Sequence, residues 1–105
     1  MDFIPYGKQS LSQDDIDAVI ETLHSDFLTT GPKVKAFEDA LAAYCQADYC
    51  VAVANGTAAL HLASLVLLNK GDKVLTTPNS FLASSNAILY AGAEPVFVDI
   101  KEDGN

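Results

Sequence analysis

The chain of 105 residues has no arginine: its six cations are all lysine, against 14 acids, for a formal charge of −8. That balance argues against nucleic acid or an anionic membrane as a partner, because both reward clustered basic side chains. It also removes the side chain that grips carboxylate and phosphate with two parallel hydrogen bonds. An anionic ligand must then be held by backbone amides and lysine, or by arginines from another chain. Cysteine is scarce as well. Cys45 and Cys50 form no CxxC pair and have no partners at metal-ligand spacing, so neither a structural disulfide nor a metal site is expected. No apolar run reaches membrane-spanning length. The opening residues Met1-Asp2-Phe3-Ile4-Pro5 lack a basic stretch followed by an apolar one, so a cytoplasmic chain with reduced thiols is expected. Neither GxGxxG nor a P-loop ending in GK[ST] occurs, which weakens dinucleotide and nucleoside-triphosphate readings.

Half of the residues are hydrophobic and 19% are charged, as in a folded domain with a real core. Ser12 reads as an N-cap, with Asp14 and Asp15 in the first turn where the helix dipole favours acids. Ile16, Val19, Ile20 and Leu23 follow at helical spacing, and this helix is expected to end near Ser25. A loop from Asp26 to Pro32 holds two large apolar residues, Phe27 and Leu28, which should pack on something. Pro32 suits the first turn of a second helix, continued by Val34, Phe37, Leu41 and Tyr44 to about Gln46.

From there the pattern alternates between strand and helix. Strands are expected at Tyr49 to Ala54, Lys73 to Thr77 and Pro95 to Ile100, with helices at Thr57 to Asn69 and Ser80 to Tyr90 or Ala91. Near-continuous apolar strands separated by helices predict an α/β fold with a mostly parallel sheet and covering helices. The expected organisation is an N-terminal helical segment over 1–48 and the start of an α/β domain over 49–105. Five residues after a good buried strand leave a poorly covered sheet edge, so the chain is expected to be cut within a larger domain and to self-associate.

The most informative stretch is Asn55-Gly56-Thr57, where an apolar run stops and a helical pattern begins. It is either an anion cradle, with free N–H groups and a hydroxyl at a helix start, or an ordinary turn that needs a small residue. Pro78-Asn79-Ser80-Phe81 falls on the same carboxyl-end rim, where open α/β sheets place ligands. Phe81 there is either a stacking surface for a flat ring or part of the core. Asn86, unfavoured in mid-helix, faces either a site or solvent. His24 and His61 have no partner spaced for a metal, and Asp99 is either a rim acid or a solvated strand end.

With these residues set side by side, the chain resembles the N-terminal part of the DegT/StrS family, sugar-nucleotide aminotransferases that use pyridoxal 5′-phosphate in a fold-type-I large domain. The resemblance rests on Ile4-Pro5-Tyr6-Gly7-Lys8-Gln9-Ser10, Asp26-Phe27-Leu28-Thr29-Thr30-Gly31-Pro32, Asn55-Gly56-Thr57-Ala58-Ala59-Leu60-His61-Leu62, Pro78-Asn79-Ser80-Phe81 and Gly92-Ala93-Glu94-Pro95-Val96-Phe97-Val98-Asp99. The first two segments are most similar to the branch acting on a UDP-linked 4-keto-6-deoxy-N-acetyl sugar, on the route to pseudaminic acid and surface glycans.

The resemblance implies that Gly56, Thr57 and Ala58 hold the cofactor phosphate, that Phe81 stacks on its ring, and that Asn86 lies near it. Tyr6, Asp26, Phe27, Leu28, Thr29 and Gly56 would line the nucleotide-sugar side. It implies glutamate as amino donor and a homodimer for the full-length protein. It also implies that the lysine carrying the cofactor lies beyond Asn105, since none of the six lysines sits in a matching context. These 105 residues alone are therefore expected to be inactive. Two alternatives stay open: a non-catalytic binding module, and the side branch of the family that dehydrates at C3 with histidine in place of the lysine.

Overall fold

The computed structural model describes residues 7–101. The chain divides into two compact units, Met1–Ala52 and Val53–Asn105.

The first unit carries two helices, α1 (Gln13–Leu23) and α2 (Pro32–Cys45). The start of α1 is set by a reciprocal cap. Ser12 Oγ accepts from the Asp15 N–H at 3.3 Å, and the Asp15 carboxylate accepts from the Ser12 N–H at 2.8 Å. Two of the orphan amides at this helix start are thereby satisfied. The backbone bond from Ser12, reinforced by the Ser12 hydroxyl, holds the Asp15 carboxyl below its usual range. A lowered folded value stabilises the cap above the ordinary carboxylate pKa, and that contribution is lost as pH falls through the folded value. The protection of the Ser12 and Asp15 amides, relative to their intrinsic exchange rate, should therefore fall once the pH drops below about 4, and Asp15→Asn should flatten that dependence.

After α1 the chain turns through Thr30 at φ 49°, a conformation a β-branched residue rarely takes, to Gly31. A Cβ on Gly31 would sit 2.7 Å from Phe27 Cβ and 3.2 Å from the Phe27 carbonyl oxygen, so the turn requires glycine. Gly31→Ala should cost about 1–3 kcal/mol, read from urea unfolding, because neither contact is with the far end of a flexible side chain. Leu28 lines an open groove with Ala18, Val19 and Leu23, but both it and Phe27 remain largely exposed, so neither is packed away as expected. Lys33 Nζ meets Glu21 Oε1 at 3.1 Å on the surface, a pair worth little in water. α2 ends at Gln46, in the left-handed region at φ 54°.

The second unit holds α3 (Gly56–Leu67), β1 (Lys73–Thr76), α4 (Ala83–Tyr90) and β2 (Glu94–Phe97). The two strands pair in parallel, Lys73 opposite Glu94 through Thr76 opposite Phe97, with α4 as the crossover. Gly92 closes α4 at φ 80°, which lets the Ala93 N–H return to the Ile88 carbonyl at 3.1 Å. α4 packs on α3 and on both strands. The core of the described residues is Ala83, Ala87, Ile88 and Ala93, all in this unit. His61 of α3 meets Tyr90 of α4 edge to face, with ring centroids 5.4 Å apart, which gives His61 a packing role.

The α/β class and the parallel pairing are as expected, but the strand expected at Tyr49 to Ala54 is absent among the described residues. A strand exists only by pairing. No backbone ladder reaches this segment, and the Ala52 N–H donates instead to Glu38 Oε1 at 2.8 Å. Among the described residues the sheet therefore has two strands where three were expected. α4 also begins at Ala83, three positions later than the expected Ser80, which leaves Phe81 in the connection before the helix. β2 ends at Phe97, short of Ile100.

Candidate functional site: a cleft at the start of α3

Asn55 adopts an extended conformation and caps α3, its side-chain Oδ1 accepting from the Ala58 N–H at 2.9 Å. Its backbone carbonyl accepts from the Ala59 N–H at 3.2 Å. The amides of Gly56 and Thr57, at the first two helical positions, donate to no protein acceptor among the described residues. They and the helix dipole form a positive end with no formal charge.

This helix start borders an open cleft of about 550 Å³ lined by Gly56, Thr57, Ala59, Leu60, Phe81, Ala83 and Ser84. The size suits a small cofactor, and none of the lining side chains is charged. An anion would be held there by amides and hydroxyls, as the lack of arginine requires. A Cβ on Gly56 would meet no atom within 4 Å, so the fold itself does not demand glycine; the cleft is the remaining reason for one. Phe81 is 79% exposed, a flat apolar wall of the cleft and not part of the core. Free amides, a hydroxyl, a side-chain-free position and an exposed ring fit a ligand with a phosphate at one end and a planar ring at the other.

The structure thus brings Gly56, Thr57 and Phe81 together. Ala58 is adjacent, but its N–H is taken by Asn55 and it does not line the cleft. Asn86 is half-buried in α4 and does not line it either. Asp99 is exposed, with its Oδ1 accepting from the Ile100 N–H. Asp26, Phe27, Leu28 and Thr29 belong to the first unit, and Tyr6 lies outside the described residues. Two residues were missed from sequence, Asn55 as the cap and Ser84 as a lining hydroxyl. The cap was legible from Asn preceding a helical run; Ser84 carries no local signal. No group of His, Cys, Asp or Glu positioned to hold a metal occurs among the described residues, and both Cys45 and Cys50 are free thiols. No helix among the described residues is long and apolar enough to cross a membrane.

Fold and cleft together define an α/β unit with an uncharged cleft at a helix start. The chain belongs to the DegT/DnrJ/EryC1/StrS aminotransferase family, whose sequence model matches residues 9–105. It is 46% identical over 102 residues to the UDP-4-amino-4,6-dideoxy-N-acetyl-beta-L-altrosamine transaminase of Campylobacter jejuni strain 81-176, covering 97% of this chain and 27% of that protein. Among solved structures, it is similar to the PLP form of Spr1654 from Streptococcus pneumoniae, with a TM-score of 0.84 and 39% identity over 95% of this chain and 26% of that one. It is also similar to Helicobacter pylori PseC, described as an aminotransferase involved in pseudoaminic acid biosynthesis, with a TM-score of 0.85 and 34% identity over 96% of this chain and 28% of that one. The chain thus spans about a quarter of the length of the relatives it matches.

Proposed function

We propose that this chain supplies the phosphate-binding end and one ring-facing wall of a pyridoxal-phosphate site, within an aminotransferase acting on a nucleotide sugar. The observation that carries the reading is the shared cleft, lined both by the two residues whose amides are free at a helix start and by an exposed phenylalanine. Gly56 and Thr57 N–H groups and the Thr57 hydroxyl would hold phosphate oxygens, and Asn55 would keep the helix start in place by capping it. Phe81 would fix the plane of the ring and shield one face from water. Pyridoxal phosphate, when bound, supplies the electron sink for amino-group transfer. No lysine lines the cleft, and by the family resemblance none of the six lysines stands in the matching context, so the lysine that carries the cofactor would come from outside these 105 residues.

The expected reaction moves an amino group from an amino acid, glutamate in this reading, to the C4 ketone of a UDP-linked 4-keto-6-deoxy-N-acetyl sugar for surface-glycan synthesis. Asp26 to Thr29 would serve the nucleotide-sugar side, in a cytoplasmic homodimer. Support comes from the similarity to the altrosamine transaminase and to PseC.

The test is to incubate the intact protein with pyridoxal phosphate, 15N-glutamate and the keto-sugar nucleotide, and to follow products by mass spectrometry. The reading predicts a 15N-labelled amino sugar and 2-oxoglutarate. Loss of the C3 hydroxyl without label would support the dehydratase branch, and cofactor binding without turnover would support a non-catalytic module. The 105 residues alone should give no amino sugar.

A further inference from the structure

Phe81 is exposed on both sides. It walls the cleft at the start of α3, and it also walls a second, smaller hollow of about 200 Å³ with Thr77, Ser80 and Phe97. Packing therefore does little to fix the ring. The connection that carries it is instead tied down by hydrogen bonds. Ser80 Oγ and Ser84 Oγ lie 2.9 Å apart, hydrogen-bonded with either as donor, and so bracket Phe81 from both sides in sequence. The Ser84 N–H donates to the Phe81 carbonyl at 3.0 Å. Upstream, Thr77 Oγ1 accepts from the Asn79 N–H at 3.2 Å. Ser84 is the one member of this set that lines both hollows with Phe81, bonds the Phe81 carbonyl through its amide and bonds the Ser80 hydroxyl through its own.

We infer that Ser84 is a positioning residue: with Ser80, it closes a hydroxyl clamp that sets the backbone under Phe81, and hence the plane the ring offers to the cofactor. The inference rests on the pyridoxal-phosphate reading of the cleft and goes beyond it. A serine pair suits the task because its bond crosses four residues, as in one helical turn, and ties Ser80 of the connection to Ser84 in the first turn of α4. Alanine at either end removes the bond and leaves the backbone bond between residues 84 and 81.

The test is a titration of the intact protein with pyridoxal phosphate, followed by visible absorbance and by the circular dichroism induced in the bound cofactor. Ser84→Ala should weaken affinity about fivefold and shrink the induced band, the size expected from losing one hydrogen bond. Ser80→Ala breaks the same bond from an exposed position that carries no core packing, and should do the same. Ser84→Thr, which keeps the hydroxyl, should restore both readouts. In a Phe81→Ala background, Ser84→Ala should add nothing, because the clamp then has no ring to orient. Unchanged affinity and dichroism in both alanine variants, or a full additional loss in the Phe81→Ala background, would overturn the clamp while leaving the cofactor site standing. Failure of the unmutated protein to bind pyridoxal phosphate would instead remove the site reading, and the clamp with it.

Discussion

Gly56→Ala should leave the protein as stable as before, or more stable by up to about 1 kcal/mol, while weakening pyridoxal phosphate at least tenfold. The two halves of that expectation have separate causes. Glycine in a helix loses more backbone freedom on folding than alanine, by about 0.5–1 kcal/mol. At Gly56 nothing offsets the gain, because φ is not in the left-handed region and an added Cβ meets no protein atom within 4 Å. The methyl instead occupies space beside the two unpaired amides, where a phosphate oxygen must approach the backbone closely. Tenfold corresponds to about 1.4 kcal/mol, a modest demand for a misplaced anion contact. Thermal or urea unfolding reads the first half, and cofactor titration the second. Lower stability with unchanged affinity would mean the glycine serves the turn alone.

Ile88→Ala should cost the second unit about 2–5 kcal/mol, measured as the shift in urea midpoint. Of the four buried core residues, three are alanine and Ile88, at 6% exposed, is the one large side chain. It lies on α4, the helix that packs on α3 and both strands, so removing its branched chain leaves a void in the core that this helix organises. A loss of that size is a large share of the 5–15 kcal/mol typical of a domain. Because α3 and the Phe81 connection both lean on α4, cofactor binding should fall in parallel with stability. Gly56→Ala should instead uncouple the two.

Local chemistry was legible in the sequence, and pairing was not. Ser12 with Asp15 three positions on, Pro32 at the first position of α2, and Asn55 before Gly56 each determine a helix start through neighbours within one turn. α1 and α2 begin where Ser12 and Pro32 place them; α3 begins at Gly56, one residue before the expected Thr57, because Asn55 caps it. Tyr49 to Ala54 has the composition of a strand, yet its backbone groups find no ladder, because composition cannot supply a partner. The apolar stripe Ile16, Val19, Ile20 and Leu23 was read correctly as one face, but periodicity does not say what covers it, and these residues remain exposed in the first unit. Gly56, Thr57 and Phe81, named from turn chemistry and rim position, line one cleft because both are local properties. Asn86 was placed near the cofactor by the family resemblance, its mid-helix position leaving site or solvent open, and it does not line this cleft. Ser84 was passed over because its role depends on a fold that brings the α4 connection to the start of α3.

The central claim is that the start of α3 receives the phosphate of pyridoxal phosphate through two particular amides. Two-dimensional NMR of the intact protein labelled with 15N at glycine, threonine and alanine tests it most directly. On addition of pyridoxal phosphate, the Gly56 and Thr57 amides should move downfield and become protected from exchange. The Ala58 amide, already donating to Asn55, should move much less. Unmoved Gly56 and Thr57 resonances at saturating cofactor would contradict the account and return Asn55-Gly56-Thr57 to the role of a turn.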